Sequence, residues 1–381
     1  MGKPILIGVV VGLMVLAGGP GWGSYLETDP ETTTGGEERI VPPEPVGNEI
    51  TRLVGRVEVG RPFTTRNMMV FPLYVEGGTD PTHYVTLDDA IAGGLLRVYE
   101  KGDGRVQEVI VRNVSRHTIF LMAGEIISGA KQNRVIATDV LLRADGPEVA
   151  VPVYCVERGR WAGDNMAFRT EKSFANAALR DVAQSKAGQD VVWEEVKRVS
   201  DEAGVESETG NFQDVVNDAG VKEALDEYGK IMPEPPRRCI GAAIAINNQV
   251  VGVELFANED LFTALWPKIR RGYALDAYPR YDDWEKVEGS NLFDFIDERD
   301  VRAFLDRVYE ARFARRGGID LGFMYAISGN GLNGEGLVYE RSVIHVDFAP
   351  VRPRPVPIRR DPIIIEENAP RGGDDQQMEG E

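Results

Sequence analysis

From Ile50 to Pro350 the chain switches between two hydrophobic periods. Met68 to Val75, Val106 to Asn113, Thr118 to Ile127, Val135 to Leu142 and Val149 to Val156 are rich in β-branched and aromatic residues at strand length, which predicts a strand-rich first half. One helix interrupts them. Thr86 is placed to cap it, Asp88 and Asp89 suit its dipole, and Leu87, Ile91 and Leu95 recur on one face. In the middle, Phe174 to Lys186, Val191 to Glu202 and Phe212 to Ile231 repeat at the helical period with acidic outer faces, and Pro233, Pro235 and Pro236 close the last. A hairpin then pairs Ile240–Ile246 with Val250–Phe256 across Asn247-Asn248, since Asn tolerates the positive φ of such turns. Asn258 caps a helix through Leu261, Leu265 and Ile269, which Pro267 is expected to break or kink. A helix over Val301 to Arg315 and strands over Leu321 to Ser328 and Leu337 to Phe348 finish the body. The pattern lacks regular β-α-β alternation. It predicts one α+β domain over residues 50–350, with a strand-rich N-terminal half, a helical middle and a sheet completed by C-terminal strands.

The flanks differ in composition. Lys3, the apolar run Ile5 to Ala17 and the small residues Gly18, Gly19, Gly23 and Ser24 read as a signal peptide over residues 1–23, with an uncleaved membrane anchor as the alternative. This places the protein outside the cytoplasm, in the periplasm or cell envelope. Residues 24–49 read as a disordered linker, and residues 351–381 as a Pro-rich, acidic, disordered tail. Within the tail Pro353, Pro355 and Pro357 favour extended polyproline structure, and Ile363 to Ile365 is a short apolar patch.

Hydrophobic residues make up 43% and charged residues 27%, a globular mix, but the net charge is −18. A field of that sign argues against nucleic acid and anionic membrane surfaces, leaving membrane contact to the N-terminal segment alone. Cys155 and Cys239 lie in apolar strands, either as small hydrophobes or as a disulfide pair. His83, His117 and His345 are scattered, and no Cys/His spacing resembles a metal site, so neither metal nor cofactor is expected. Gly329-Asn330-Gly331-Leu332-Asn333-Gly334 matches a dinucleotide fingerprint, but a strand follows where a helix is required. A glycine-rich connection between strands is the better reading.

Three segments carry candidate chemistry. In Gly124 to Arg134 a strand runs into a polar turn. Glu125 sits at a strand end, Lys131 and Arg134 suit phosphate or carboxylate, and Gln132 and Asn133 suit polar groups. In Val151 to Trp161 an apolar strand ends in Glu157, Arg158, Arg160 and Trp161, a set able to clamp a planar anion by stacking and bidentate bonds. In Leu265 to Asp276 the charged residues Lys268, Arg271 and Asp276 interrupt apolar positions. The bland reading of each is an ion pair or a satisfied core edge.

Together these segments resemble the ARPP-1 family, named for association with ADP-ribosylglycohydrolase and rhodanese-phosphatase proteins. The resemblance spans about Ile50 to Phe348. It rests on Tyr84-Val85-Thr86-Leu87-Asp88-Asp89-Ala90, Gly-Glu followed by Gly-Ala-Lys-Gln-Asn-Arg, Cys-Val-Glu-Arg-Gly-Arg-Trp, and Leu-Trp-Pro-Lys followed by Arg-Gly-Tyr-Ala-Leu-Asp. It implies an association with ADP-ribose or nucleotide-derived metabolites and no particular reaction. Two readings compete. In one, Glu125 or Glu157 is the general acid–base of a hydrolase, Lys131, Arg134 and Arg160 hold a small anionic ligand, and Trp161 stacks on its ring. In the other the chain is a non-catalytic binding or scaffold module of the cell envelope, with protein partners not specified.

Overall fold

A computed structural model describes residues 47–100, 107–159, 167–282, 284 and 295–352. The signal peptide, nearly all of the linker and tail, and the candidates Arg160 and Trp161 lie outside the described residues. The chain opens with α1 (Glu49–Val54), β1 (Val57–Val59), β2 (Phe63–Thr65) and β3 (Met68–Val75). Next come β4 (Val85–Thr86), α2 (Leu87–Ala92), β5 (Leu96–Tyr99), β6 (Glu108–Asn113), β7 (Ile119–Leu121), β8 (Glu125–Gly129), β9 (Arg134–Ile136), β10 (Val140–Leu142), β11 (Val149–Cys155) and β12 (Phe168–Phe174). The middle holds α3 (Ala177–Gln184), α4 (Gln189–Ala203), α5 (Phe212–Asn217), α6 (Ala219–Tyr228), the hairpin β13 (Cys239–Ile246) and β14 (Gln249–Phe256), and α7 (Glu259–Ala277). After α8 (Glu298–Asp306) the described chain ends in β15 (Arg312–Gly317), β16 (Phe323–Gly329), β17 (Leu332–Tyr339) and β18 (Ser342–Pro350). This is the α+β arrangement that the pattern predicts.

The first and last strands share one sheet. Nine strands pair antiparallel in the order β1-β3-β13-β14-β18-β17-β16-β15, with β2 also on β3. The first-half strands do not all join it. They form a six-stranded sheet, β12-β8-β9-β11-β6-β5, and a three-stranded one, β10-β7-β4. The large sheet is covered on both faces, which is why its central strands read as unbroken apolar runs. On β3, Met69, Phe71 and Leu73 pack with Ile50 and Val54 of α1 and Val301, Phe304 and Leu305 of α8. Met68 and Val70 point the other way, into a core with Leu179, Val196, Leu225, Leu265 and Ile269 from α3, α4, α6 and α7. A third core lies between α2 and the two smaller sheets, with Leu87, Ile119, Val140 and Val151.

Local chemistry sets the boundaries, and several differ from the pattern. Thr86 and Asn258 cap as expected, accepting from the Asp89 and Leu261 amides, and Asn247 and Asn248 turn the β13–β14 hairpin at φ 48° and 62°. The apolar run Thr118–Ile127 is two strands, because Gly124 takes φ 96° between β7 and β8. Val135–Leu142 is likewise two strands, β9 and β10, separated by Ala137, Thr138 and Asp139. Phe212–Ile231 breaks at Asp218, whose carboxylate accepts from the Gly220 and Val221 amides and starts α6. Phe174 ends a strand, so α3 begins only at Ala177. Residues 312–315 belong to β15 rather than to a helix, and Leu337–Phe348 folds back at Glu340-Arg341 into β17 and β18. The helix α7 runs 19 residues through Pro267 without a break. The lost backbone hydrogen bond is tolerated because Phe262, Leu265 and Trp266 on one side and Ile269 and Tyr273 on the other are anchored in the same core. The glycine-rich motif is the β16–β17 hairpin, with Asn330 and Gly331 at positive φ. Cys155 and Cys239 are both buried free thiols.

Candidate functional site

Two of the sequence-nominated segments close on themselves. The Glu125 side chain is 1% exposed. One oxygen pairs with Lys268 Nζ, and Oε2 accepts from the Met122 amide at 2.6 Å. Lys268 reaches back to Asp88 Oδ2 at 2.8 Å, and Asp88 in turn accepts from the Thr170 hydroxyl. Burial pushes the Glu125 carboxyl up to about 7 against the pull of Lys268, while Glu125 and Asp88 more than offset the effect of burial on Lys268 and raise its pKa. The structure thus brings Glu125 and Lys268 together, as a link between β8, α2 and α7.

The second network gathers Gln132, Asn133, Arg134 and Glu157. Arg134, fully buried on β9, donates to Glu100 Oε1 and to Gln132 Oε1, both at 3.1 Å. Gln132 donates to the Glu157 carbonyl at 2.9 Å, and the Glu157 carboxylate accepts the Asn133 amide at 3.1 Å. Lys131 is half-buried in the same turn. The remaining described nominees, Arg271 and Asp276, lie apart. Arg271 pairs with Asp226 at 2.8 Å on the surface. Asp276 accepts from the Asn176 side chain at 2.9 Å and from the Ala177 amide at 2.7 Å, which holds the start of α3.

A third network was not nominated by sequence. In the large sheet Glu254 of β14, Asp347 of β18 and Glu335 of β17 stand opposite one another in register, three carboxyl groups in one row. Such a row is self-repelling unless cations or protons are supplied. His345, two residues before Asp347, lies between Asp139 Oδ2 at 2.6 Å and Glu254 Oε2 at 2.9 Å. Arg180 from α3 pairs with Glu254 and comes within 3.9 Å of Asp347. The Tyr273 hydroxyl of α7 donates to Glu254 at 2.7 Å, and Arg316 pairs with Glu335 at 2.5 Å.

The environments split these groups. Burial would raise Glu254, but Arg180 and His345 outweigh it and hold the carboxyl at about 2. Burial would lower His345, but Asp139 and Glu254 raise it to about 10, so it is an imidazolium. Asp347 is pushed up to about 6 by burial, against Arg180. Glu335 is pushed up to about 7 by burial, against Arg316. Asp347 and Glu335 line a cleft of about 170 Å³ with Arg180, Gln184, Tyr273 and Asn333. Arg180 is 4% exposed, and its Nη1 has no hydrogen-bond partner among the described residues. Unlike the Glu125 network, this one opens on space and keeps an unused donor.

Gly124 joins the first and third networks. A Cβ there would come within 2.9 Å of Arg180 Cδ. The amides of Met122 and Ala123 just before it bind Glu125 and Asp139 respectively. The Gly-Glu pair is therefore a junction: glycine admits Arg180, and the carboxylate locks the turn. One sequence signal could have found the third site. His345 and Asp347 at i and i+2 put two charged groups on one face of an otherwise apolar strand, and Glu254 alone interrupts Val250–Phe256.

The fold and cleft define an α+β protein with a carboxyl-rich pocket. The model of the family described as ARG and Rhodanese-Phosphatase-superfamily-associated Protein domain, ARPP-1, matches residues 56–349, and the chain belongs to that family. No curated protein and no solved structure matches it. No helix among the described residues is long and apolar enough to cross a membrane.

Proposed function

We propose that the cleft between α3, α7 and the β14-β18-β17 row binds a small polar ligand and acts on it by acid–base chemistry. The observation that carries this reading is that Arg180, whose buried Nη1 donor has no hydrogen-bond partner among the described residues, lines the cleft. Leaving such a donor unsatisfied costs about 1–3 kcal/mol, a cost that a ligand oxygen removes. Asp347 and Glu335 face the same space, and burial raises both towards neutrality, the condition under which one can accept a proton while the other donates. Arg180 is already neutralised by Glu254, and the other charged groups at the wall, Asp181, Glu335 and Asp347, are acidic. The walls therefore favour a ligand with hydroxyl or amine donors beside one oxygen acceptor, as the edge of a sugar ring presents, over a strongly anionic one. The first network serves instead to position Arg180 through Gly124.

The reading is tested by thermal shift of the full chain against neutral monosaccharides, sugar phosphates, ADP-ribose, nucleotides and simple amines. A shift in the parent that Asp347→Asn removes, in a variant that still unfolds cooperatively, supports the cleft. A ligand that shifts parent and variant equally refutes it. Export belongs to the same proposal, on Lys3 and the run Ile5–Ala17. Mass spectrometry of the chain from the extracytoplasmic fraction should show a start near Ser24, and an intact Met1 in the cytoplasm would overturn it.

A further inference from the structure

A second opening lies away from the carboxyl cleft. It is a groove of about 930 Å³ between α4 and the segment 205–211. Its floor is Trp193, Val196 and Val205, and its exposed rim is acidic: Asp190, Glu194, Glu206 and Glu208. None of those four carboxylates has a cation within ion-pair distance among the described residues, whereas Lys197 at the same rim is taken by Asp201 at 2.7 Å. The Trp193 ring already takes a guanidinium, with Arg158 stacked 5.2 Å from its centroid. An aromatic floor with unpaired carboxylates suits an extended Pro- and Arg-rich segment. Prolines lie on aromatic rings at little entropic cost, and arginines pair with the rim.

This chain carries such a segment. Arg352, Arg354, Arg359 and Arg360 alternate with Pro353, Pro355 and Pro357 directly after β18. The segment also starts close enough to reach. Ala349 of β18 and Ser185 at the end of α3 line the same small cleft, and Asp190 at the groove rim follows Ser185 by five residues. In polyproline geometry, at about 3.1 Å per residue, the stretch from Val351 to Arg360 extends roughly 30 Å, enough to pass the α3–α4 turn and lie along α4. We propose that residues 352–360 dock in cis into the Trp193 groove, their arginines on Asp190, Glu194, Glu206 and Glu208. The inference does not rest on the ligand reading of the carboxyl cleft.

The test uses the full chain and a fluorescent peptide of residues 351–361 as probe, followed by anisotropy. The parent groove is filled by its own segment, so the probe should bind weakly. Arg354→Glu, Arg359→Glu and Arg360→Glu introduced together in the chain should empty the groove and tighten probe binding about tenfold, the competition expected of a tethered ligand. Glu194→Lys, Glu206→Lys and Glu208→Lys added to that variant should abolish binding, and salt should weaken it. Equal probe affinity for the parent and the arginine variant overturns cis docking, as does the absence of binding to either. A parent that sediments as a dimer and becomes monomeric in the arginine variant also overturns it, because the segment is then exchanged between copies.

Discussion

The Glu125 network and the Glu254–His345 network are neighbours across Gly124 and are built from the same residue types, yet they end differently. Around Glu125 no buried polar atom is left without a partner among the described residues: Lys268 sits between Glu125 and Asp88, and both Glu125 oxygens are used. Around Glu254 the counts do not close. Two carboxyl groups of the row line a cleft, and a buried guanidinium nitrogen of Arg180 has no hydrogen-bond partner among the described residues. The difference teaches that a polar cluster at the end of an apolar strand does not by itself mark a site. A closed cluster ties elements together, and one that stays open on a cavity has chemistry left to do.

The comparison can be broken by substitution, starting with the largest effect. His345→Leu leaves Asp139 and Glu254 buried without their shared cation, and we expect a loss of about 3–5 kcal/mol in denaturant unfolding. A loss under about 1 kcal/mol would mean that the imidazolium does not hold the row together. Gly124→Ala puts a Cβ at φ 96° against Arg180 and should cost about 2–3 kcal/mol. If it is neutral, the junction between the networks is looser than described.

The pH dependence comes next. Asp347, Glu335 and Glu125 have folded pKa values of about 6, 7 and 7, above their ordinary 3.8, 4.5 and 4.5. Their stabilisation is fully present below the ordinary values and is lost as pH rises through 6 to 7. His345, raised from 6.5 to about 10, adds a loss in the same direction at higher pH. Glu254, lowered to about 2, works the opposite way: its contribution is present above 4.5 and is lost as pH falls. The urea midpoint should therefore be higher at pH 5 than at pH 8, and the reverse order would contradict the assigned protonation. The smallest effect belongs to the surface. Arg271→Ala removes a solvent-exposed pair and should change stability by less than about 0.5 kcal/mol.

Much of the fold was legible because it follows from local chemistry. The span of β3, the Thr86 and Asn258 caps and the Asn-Asn hairpin can be read from single residues and short periods. The breaks at Ala123-Gly124 and at Glu340-Arg341 were not, since an apolar run through a tight turn looks like one strand and neither Glu nor Arg signals positive φ. The site was half legible. Glu125 and Lys268 stood out as charges among apolar neighbours, and their pairing needs only one contact. The carboxyl row required knowing that β14, β18 and β17 are adjacent and in register, which joins residues 254, 335 and 347 from distant parts of the chain. Arg180 lies within the helical stretch Phe174–Lys186, and nothing local distinguishes it from an exposed charge.

The most direct measurement sets one carboxyl from each network side by side, Glu335→Gln against Glu125→Gln. Denaturant unfolding and the thermal shift given by the tightest ligand of the panel would be measured for both. We expect Glu335→Gln to abolish the ligand shift while changing stability by less than about 1 kcal/mol, and Glu125→Gln to cost about 1–3 kcal/mol while the shift survives. The opposite pattern, with the ligand lost in Glu125→Gln and kept in Glu335→Gln, would move the functional site to the network described here as closed.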